Sequence, residues 1–171
     1  MATIHLMEGP VGAGKSTYAA RLGLERNAPH LDLDEWMVTL FRPDRPEAGF
    51  VPWYVERKQR CIEQIWQVAC ALLDAGTDVV LELGLVGRDD RAAFYSRVDA
   101  TGHELAVYVL DAPQAERRRR VRARNTAAGA TFKMVVTDEV FALANGAWQP
   151  PDEQECEQRR IQHVATASGR S

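Results

Sequence analysis

The pattern of apolar and polar positions predicts strands and helices that alternate along most of the chain. A short apolar run at residues 3–7 stops at a Gly-Pro turn, which is typical of a buried strand. From residue 15 to about 25 the apolar residues recur at helical spacing, so this strand leads into a helix through a glycine loop. Residues 62–73 carry apolar side chains at i, i+3, i+4 and i+7, which predicts a long amphipathic helix.

The same alternation continues to the end of the chain. Residues 78–83 and 105–110 are apolar runs typical of buried strands, and a helix is expected around residues 89–100 between them. An arginine-dense helix is expected at 114–125, followed by a further segment at 131–145 and a turn at 149–151. Residues 30–34 alternate as a short strand would, residues 42–47 are predicted as a loop, and residues 160–166 fit a last edge strand.

This rhythm of strands and helices favours a parallel sheet covered by helices on both faces. We therefore predict an α/β fold, a three-layer sandwich around a five-stranded parallel sheet. The 171 residues are 46% hydrophobic, enough for one core without disulfide or metal support. No repeat or linker divides the sequence, so we expect a single domain over residues 1–167 and a loose tail at residues 168–171.

Charge and cysteine content narrow the possible functions. Lys plus Arg total 21 against 24 Asp plus Glu, which excludes a globally basic nucleic-acid coat but allows a local basic patch. Three cysteines without C-x-x-C spacing argue against a disulfide framework or a zinc site. The apolar runs are far shorter than the roughly 20 residues of a membrane span, and no signal peptide is recognisable. We expect a cytoplasmic protein that does not bind membranes.

Residues 9–16, GPVGAGKS, match the phosphate-binding pattern G-x-x-x-x-G-K-[ST] between a predicted strand and a predicted helix. Glycines let consecutive backbone N–H groups turn towards an anion, and the following helix adds its positive N-terminal end. Lys15 would then reach the β- and γ-phosphates, and the Ser16 hydroxyl would ligate Mg²⁺. The residues expected to bind the nucleotide are Gly9, Val11, Gly12, Ala13, Gly14, Lys15, Ser16 and Thr17.

Further motifs accompany this loop: LDEWM at 33–37, LF-x-PD at 40–44, VVLELG at 79–84, RN at 124–125 with Gly129, and PPDE at 150–153. With them the chain resembles the small P-loop kinases that include chloramphenicol phosphotransferase, the zeta toxins and the polynucleotide 5′-kinase domain. It is most similar to the bacterial AAA-domain kinases of that group. The resemblance implies a kinase-type P-loop NTPase fold, ATP and Mg²⁺ as cofactors, and a helical, arginine-rich lid at about residues 113–131.

Transfer of a phosphoryl group to a hydroxyl calls for a carboxylate that takes the proton close to the γ-phosphate. Asp34 is the best candidate, because it stands at the expected carboxyl end of a strand, which faces the ligand crevice in open parallel sheets. The resemblance implies the same catalytic aspartate. Asp32 and Glu35 compete for this role, and a simple helix N-cap is the other interpretation of Asp34.

Glu82 ends the strand that is expected beside the P-loop strand. An acid at this position can hold a Mg²⁺-bound water, so Ser16 and Glu82 are the predicted metal-binding residues. Relatives mostly carry Asp here, and the glutamate side chain is one carbon longer.

The helix at residues 114–125 carries six arginines, of which Arg117, Arg120 and Arg124 share one face. The resemblance implies that guanidinium groups of this lid neutralise the transferred phosphoryl group, with Arg124 and then Arg120 as the best matches for a catalytic and nucleotide-binding role. A solvated basic face is the alternative for the others. The family pattern has another arginine where this chain has Ala128, so either Arg120 substitutes for it or catalysis is weaker.

The predicted function is an ATP- and Mg²⁺-dependent kinase that phosphorylates a hydroxyl of a small molecule. Two other acceptors stay open, a nucleic-acid 5′ end contacted by Arg42 and Arg45, and a nucleotide sugar as in the zeta toxins. An ATPase switch that acts through a partner is the alternative from another class. The aromatic residues near the proline-rich loop either line the acceptor pocket or seal the lid over the sheet; they are Trp36, Phe41, Phe50, Trp53 and Tyr54.

Overall fold

A computed structural model describes residues 1–127 and 135–166 of the chain. Its strands form one sheet in the order β2-β3-β1-β4-β5, and every neighbouring pair is parallel. The strands are β1 (Thr3–Glu8), β2 (His30–Asp32), β3 (Val79–Glu82), β4 (Glu104–Asp111) and β5 (Gln162–Ala165). The predicted five-stranded parallel sheet is confirmed, including its edge strand.

Helices connect these strands, as parallel pairing requires. The described helices are α1 (Lys15–Arg26), α2 (Leu33–Phe41), α3 (Phe50–Asp74), α4 (Arg88–Asp99), α5 (Gln114–Ala127), α6 (Asp138–Ala147) and α7 (Glu153–Arg159), with a 3-10 turn at Arg42–Asp44. None of the described helices combines the length and apolar character needed to cross a bilayer.

The core lies on both faces of the sheet, because successive side chains of a strand point to opposite sides. On one face, Ile4 and Leu6 of β1 belong to a buried cluster with residues of α2, α3 and α4. On the other face, Met7 packs in a second cluster with Ala19 and Leu22 of α1. The chain is therefore a three-layer α/β sandwich, as predicted.

The structure corrects one predicted boundary. The strand expected at residues 30–34 ends at Asp32, because the Asp32 side chain accepts hydrogen bonds from the backbone N–H groups of Asp34 (2.8 Å) and Glu35 (3.3 Å). Asp32 is thus the N-cap of α2, and Asp34 lies in the first turn of that helix. The interpretation of Asp34 as the N-cap is wrong, as is its placement at the strand end.

Two further helices differ from the prediction, one in its length and one in its presence. Helix α3 begins at Phe50, well before the apolar repeat that marks its second half, and α7 was not predicted. Ala128 and Gly129, the end of the expected lid, the start of the segment 131–145 and the tail at 168–171 lie outside the described residues.

Candidate active site

The loop between β1 and α1 packs too tightly for side chains at two of its glycines. A Cβ on Gly9 would collide with the Leu110 carbonyl oxygen, and one on Gly12 would lie 2.7 Å from the Arg117 carbonyl oxygen. Both glycines also have positive φ angles, 142° and 79°. Helix α1 starts after Gly14 without a side-chain cap and without an acid in its first turn. Its first N–H groups therefore remain available to an anion.

Lys15 lies folded back over this loop. Its Nζ donates hydrogen bonds to the carbonyl oxygens of Gly9 at 2.9 Å and Pro10 at 3.0 Å, and the side chain lines the cavity above the loop. Burial lowers the pKa of Lys15, and the nearby carboxylates of Glu82 and Asp34 oppose that shift only in part. An ammonium group held in this way is placed to bind phosphate oxygens.

Glu82 is buried at the end of β3, beside the first turn of α1. The Ser16 hydroxyl donates to its Oε1 at 3.1 Å, and His30 Nε2 lies 3.3 Å from its Oε2. Burial opposes ionisation of Glu82, but the contacts with His30, Lys15 and Ser16 outweigh it and hold its pKa below the ordinary value. A hydroxyl and an ionised carboxylate are hard oxygen ligands, so the pair fits a Mg²⁺ site.

His30 lies beside the Ser16–Glu82 pair and was not predicted from the sequence. One ligand atom each from His30, Asp32 and Glu82 lies within 4.8 Å of the others. Because a lone histidine at the start of a short strand carries no motif, no signal in the sequence pointed to it. His30 Nε2 and Glu82 Oε2 are both buried, and neither forms a hydrogen bond with the described residues.

Asp34 opens into the same cavity from the first turn of α2. The Asp34 side chain is exposed to solvent at the cavity. The surrounding protein still disfavours its charged form, and this desolvation raises the pKa of Asp34. The negative charges of Asp32 and Glu82 raise it further, whereas Lys15 and Lys58 lower it. The structure therefore brings Asp34, Lys15 and Glu82 to one cavity, and a carboxyl of raised pKa is a better proton acceptor.

Two of the six arginines of α5 line this cavity, namely Arg120 and Arg124. The guanidinium of Arg120 is anchored, since it donates to the Thr166 carbonyl oxygen (2.7 Å), the Thr166 hydroxyl (2.9 Å) and Glu116 (2.9 Å). The Nε of Arg124 is buried and makes no hydrogen bond with the described residues. Arg124 is thus the arginine that is most available to a ligand.

The other arginines of α5 have structural partners. Arg117 is buried and donates to the carbonyl oxygens of Ala112 at 3.0 Å and Val11 at 3.1 Å, so it supports the phosphate loop from behind. Arg118 lies over the Phe141 ring; Arg119 and Arg122 form ion pairs with Glu116 and Asp138.

The cavity has a volume of about 680 Å³ and is lined by residues outside the phosphate loop as well as by the loop itself. Beyond the phosphate loop, the residues that line the cavity include Tyr54 and Lys58 of α3 together with Leu85, Val86 and Trp148. Of the five aromatic residues singled out from the sequence, Tyr54 reaches the cavity. Trp36 and Phe41 pack against the core, and Phe50 stacks with Trp53. Lys58 is a cavity residue that sequence reasoning missed.

A buried charge network adjoins the cavity at the end of β1. Arg91 is fully buried and binds both carboxylate oxygens of Glu155, at 2.6 and 2.8 Å, while Glu8 lies 3.4 Å from its Nε. The Tyr95 hydroxyl donates to Glu155 at 3.1 Å. Burial raises the pKa of Glu8 to about 8; the neighbouring Arg91 opposes the shift and Glu155 adds to it. This network joins β1, α4 and α7.

Comparison with known proteins agrees with this architecture. The family described as "AAA domain" matches residues 4–151. A gluconokinase from Sinorhizobium meliloti 1021 is 15% identical, with a TM-score of 0.58 over 98% of this chain and 83% of its own. The Mycobacterium tuberculosis APS kinase CysC, solved with AMPPNP and APS, is 19% identical, with a TM-score of 0.61 over 99% and 90%.

A chain of the Pnkp1/Rnl/Hen1 RNA repair complex is 17% identical, with a TM-score of 0.60 over 85% of this chain and 43% of its own. No curated protein sequence matches the chain. The family match covers most of the sequence and includes the phosphate loop, Asp34, Glu82 and α5. The chain therefore belongs to the AAA-domain family and has the fold of the small P-loop kinases that its motifs resemble.

Proposed function

We propose that the protein is an ATP- and Mg²⁺-dependent kinase that phosphorylates a hydroxyl group of a small molecule. One observation carries the proposal: the phosphate loop, the Ser16–Glu82 pair and Asp34 open into a single cavity. A nucleotide-binding module needs the first two features but has no use for a carboxylate aimed at the γ-phosphate region. The kinases among the structural neighbours, a gluconokinase and an APS kinase, support a small acceptor.

In this proposal the phosphate loop and the start of α1 bind the triphosphate of ATP through residues 9–17, and Lys15 binds the β- and γ-phosphate oxygens. Ser16 and Glu82 are the residues that would hold Mg²⁺. When bound, Mg²⁺ neutralises charge on the β- and γ-phosphates. His30 lies beside the Glu82 oxygen that Ser16 does not contact and favours the ionised form of that carboxylate.

Asp34 is the base of the proposed reaction. The acceptor oxygen forms a bond to the γ-phosphorus, the bond from that phosphorus to the β–γ bridging oxygen breaks, and ADP leaves with the electron pair. The acceptor hydroxyl gives its proton to the Asp34 carboxylate. Arg124, with Arg120 beside it on the cavity wall, stabilises the charge on the transferred group.

The test combines two measurements on the Asp34→Asn variant, which keeps the side-chain shape and removes the basic oxygen. ATP affinity is measured by calorimetry, and transfer is measured with radiolabelled ATP on a panel of sugars, sugar acids, nucleosides and a 5′-hydroxyl oligonucleotide. We expect unchanged ATP affinity and a loss of transfer of roughly 10²–10⁴-fold. Asp89→Asn, an exposed aspartate of α4, is the matched control and should behave as the parent.

A switch protein would give a different result. It would hydrolyse ATP slowly, phosphorylate no member of the panel, and keep its hydrolysis rate in the Asp34→Asn variant. Phosphorylation of the oligonucleotide alone, with a strong dependence on salt, would instead identify a nucleic-acid 5′ end as the acceptor. Transfer at the parent rate by Asp34→Asn would remove Asp34 from the chemistry.

A further inference from the structure

We propose that the acceptor carries an anionic group, a carboxylate or a phosphate, which Lys58 binds while the hydroxyl to be phosphorylated lies at Asp34. The proposal rests on the kinase function proposed above. It adds the chemical class of the acceptor, which the phosphate loop and the base do not determine.

The position of Lys58 is the first observation. Lys58 lies one helical turn after Tyr54 on α3, so both side chains face the cavity from the same side of the helix. The Lys58 ammonium group lies beside the segment after β3, at 3.5 Å from the Gly84 carbonyl oxygen, and Val86 of that segment also lines the cavity. Lys58 and Asp34 line the same cavity. A ligand that contacts Lys58 can therefore reach Asp34 with another of its groups.

The second observation is the set of partners of Lys58. Within the described part of the chain its ammonium group makes one weak contact, with the Gly84 carbonyl oxygen at 3.5 Å. The arginines beside it on α3 differ, since Arg57 stacks on Trp53 and Arg60 forms an ion pair with Glu56. An ammonium group in a partly enclosed site gains most from an anion, because a carbonyl contact leaves its charge unbalanced.

The third observation is that the other cations of the cavity are already assigned to the phosphate loop, to a structural contact or to the transferred phosphoryl group. Lys15 belongs to the phosphate loop, Arg120 is anchored to Thr166, and Arg124 is assigned to the transferred phosphoryl group in the function proposed above. Asp34 and Lys58 form no salt bridge in the described structure, and the pKa of Asp34 is raised despite the nearby lysine. Lys58 is thus the cation left for a second ligand.

Size limits the acceptor further. The cavity of about 680 Å³ also has to receive the triphosphate, so the remaining space suits a small molecule. A hydroxy acid or a sugar phosphate has both required groups, a hydroxyl for Asp34 and an anion for Lys58. Carboxylate and phosphate present the same charge-assisted hydrogen-bond acceptors to an ammonium group, and the experiment separates them.

The experiment uses matched acceptors that differ in charge: gluconate against glucitol, glycerate against glycerol, and glucose 6-phosphate against glucose. Transfer from radiolabelled ATP is measured for the parent protein, Lys58→Met, Lys58→Arg and the control Arg60→Met, which removes a positive charge from the same helix outside the cavity. ATP affinity is measured for each protein.

We expect the parent to phosphorylate a charged member in preference to its neutral partner. Lys58→Met should raise the KM for that charged acceptor about 10- to 100-fold, with ATP affinity unchanged. Lys58→Arg should retain most of the preference, and Arg60→Met should match the parent. The reactive pair, carboxylate or phosphate, identifies the anion.

Three results would overturn the proposal. The first is transfer by the parent at equal rates to charged and neutral acceptors. The second is an equal loss of transfer to both kinds of acceptor in Lys58→Met. The third is a parent that binds ATP normally but phosphorylates none of the charged small acceptors, or phosphorylates only an oligonucleotide. An equal loss would mean that Lys58 acts on Asp34 and not on the acceptor. Efficient transfer to neutral acceptors would leave the proposed kinase function intact, whereas a parent protein that does not bind ATP would contradict that function itself.

Discussion

The arginines of helix α5 have different roles although they are residues of one type. Arg117 is buried behind the phosphate loop, Arg120 is hydrogen-bonded to Thr166, and Arg124 lines the cavity with a buried Nε that forms no hydrogen bond with the described residues. The sequence shows the spacing of these arginines but not their partners, because the partners come from distant parts of the chain. The position of a guanidinium group relative to its acceptors decides its role.

This difference predicts the effects of substitution. Arg124→Met should lower the rate of phosphoryl transfer by roughly 10²–10³-fold, since a preorganised donor to the reacting group is lost. The melting temperature should change little, because Arg124 anchors no described element. Arg118→Met, which removes a guanidinium from above Phe141, should leave turnover close to that of the parent. Equal rates for the two variants in a steady-state assay would show that Arg124 does not contact the transferred group.

The candidate site was predictable where its chemistry is local in sequence. Residues 9–17 form a contiguous motif, and Asp34 and Glu82 follow strand signals, so all of them could be named in advance. Lys58 and His30 could not, since each is a single polar residue whose relevance depends on neighbours brought together by the fold.

Helices and strands also differ in how far the sequence predicts them. The strands of the sheet and their burial follow from apolar runs, which are visible directly in the sequence. The boundary between β2 and α2 does not, because residues 30–34 alternate in a way that fits a strand until the Asp32 cap is considered. The first half of α3 is also concealed, since residues 50–61 lack a regular apolar repeat and include Pro52 near the start of the helix.

The end of β5 connects three elements of the site. The Thr166 hydroxyl donates to the Ala13 carbonyl oxygen at 2.8 Å and accepts from Arg120, so the phosphate loop, α5 and the strand end meet at one side chain. Thr166→Val preserves the shape and removes these bonds.

We expect Thr166→Val to lower the free energy of unfolding by about 1–3 kcal/mol, because a buried carbonyl and a guanidinium lose a partner. ATP affinity should fall with it, since Ala13 belongs to the phosphate loop and Arg120 lines the cavity. Denaturant unfolding and calorimetric ATP binding measure the two effects. Thr166→Ser keeps the hydroxyl and serves as the control; if Ser and Val behave alike, the hydroxyl does not couple these elements.

The stability of the whole molecule depends on the protonation of Glu8. The pKa of this buried carboxyl is about 8, above its ordinary value of 4.5, so between these values the folded protein holds a proton that the unfolded chain has released. Stability from this group is therefore full at low pH and is lost as the pH rises through about 8.

Glu8→Gln mimics the protonated form and should remove this dependence. Relative to the variant, the parent should lose up to about 1.4 kcal/mol of unfolding free energy for each pH unit within that range. Urea unfolding of both proteins at a series of pH values measures the difference, and Glu157→Gln, an exposed glutamate of α7, is the control. A constant difference across the range would show that Arg91 keeps Glu8 ionised.

The Arg91–Glu155 pair also has a consequence for the order in which the protein is made. The two residues are separated by 64 positions, and Arg91 is fully buried. During synthesis, a nascent chain that has emerged only as far as β4 would have to bury this guanidinium with Glu8 as its one carboxylate neighbour, which is costly. We therefore expect Arg91 to reach its final buried position only once α7 has emerged, and fragments that end before Glu155 to be degraded faster than the full chain by cellular proteases.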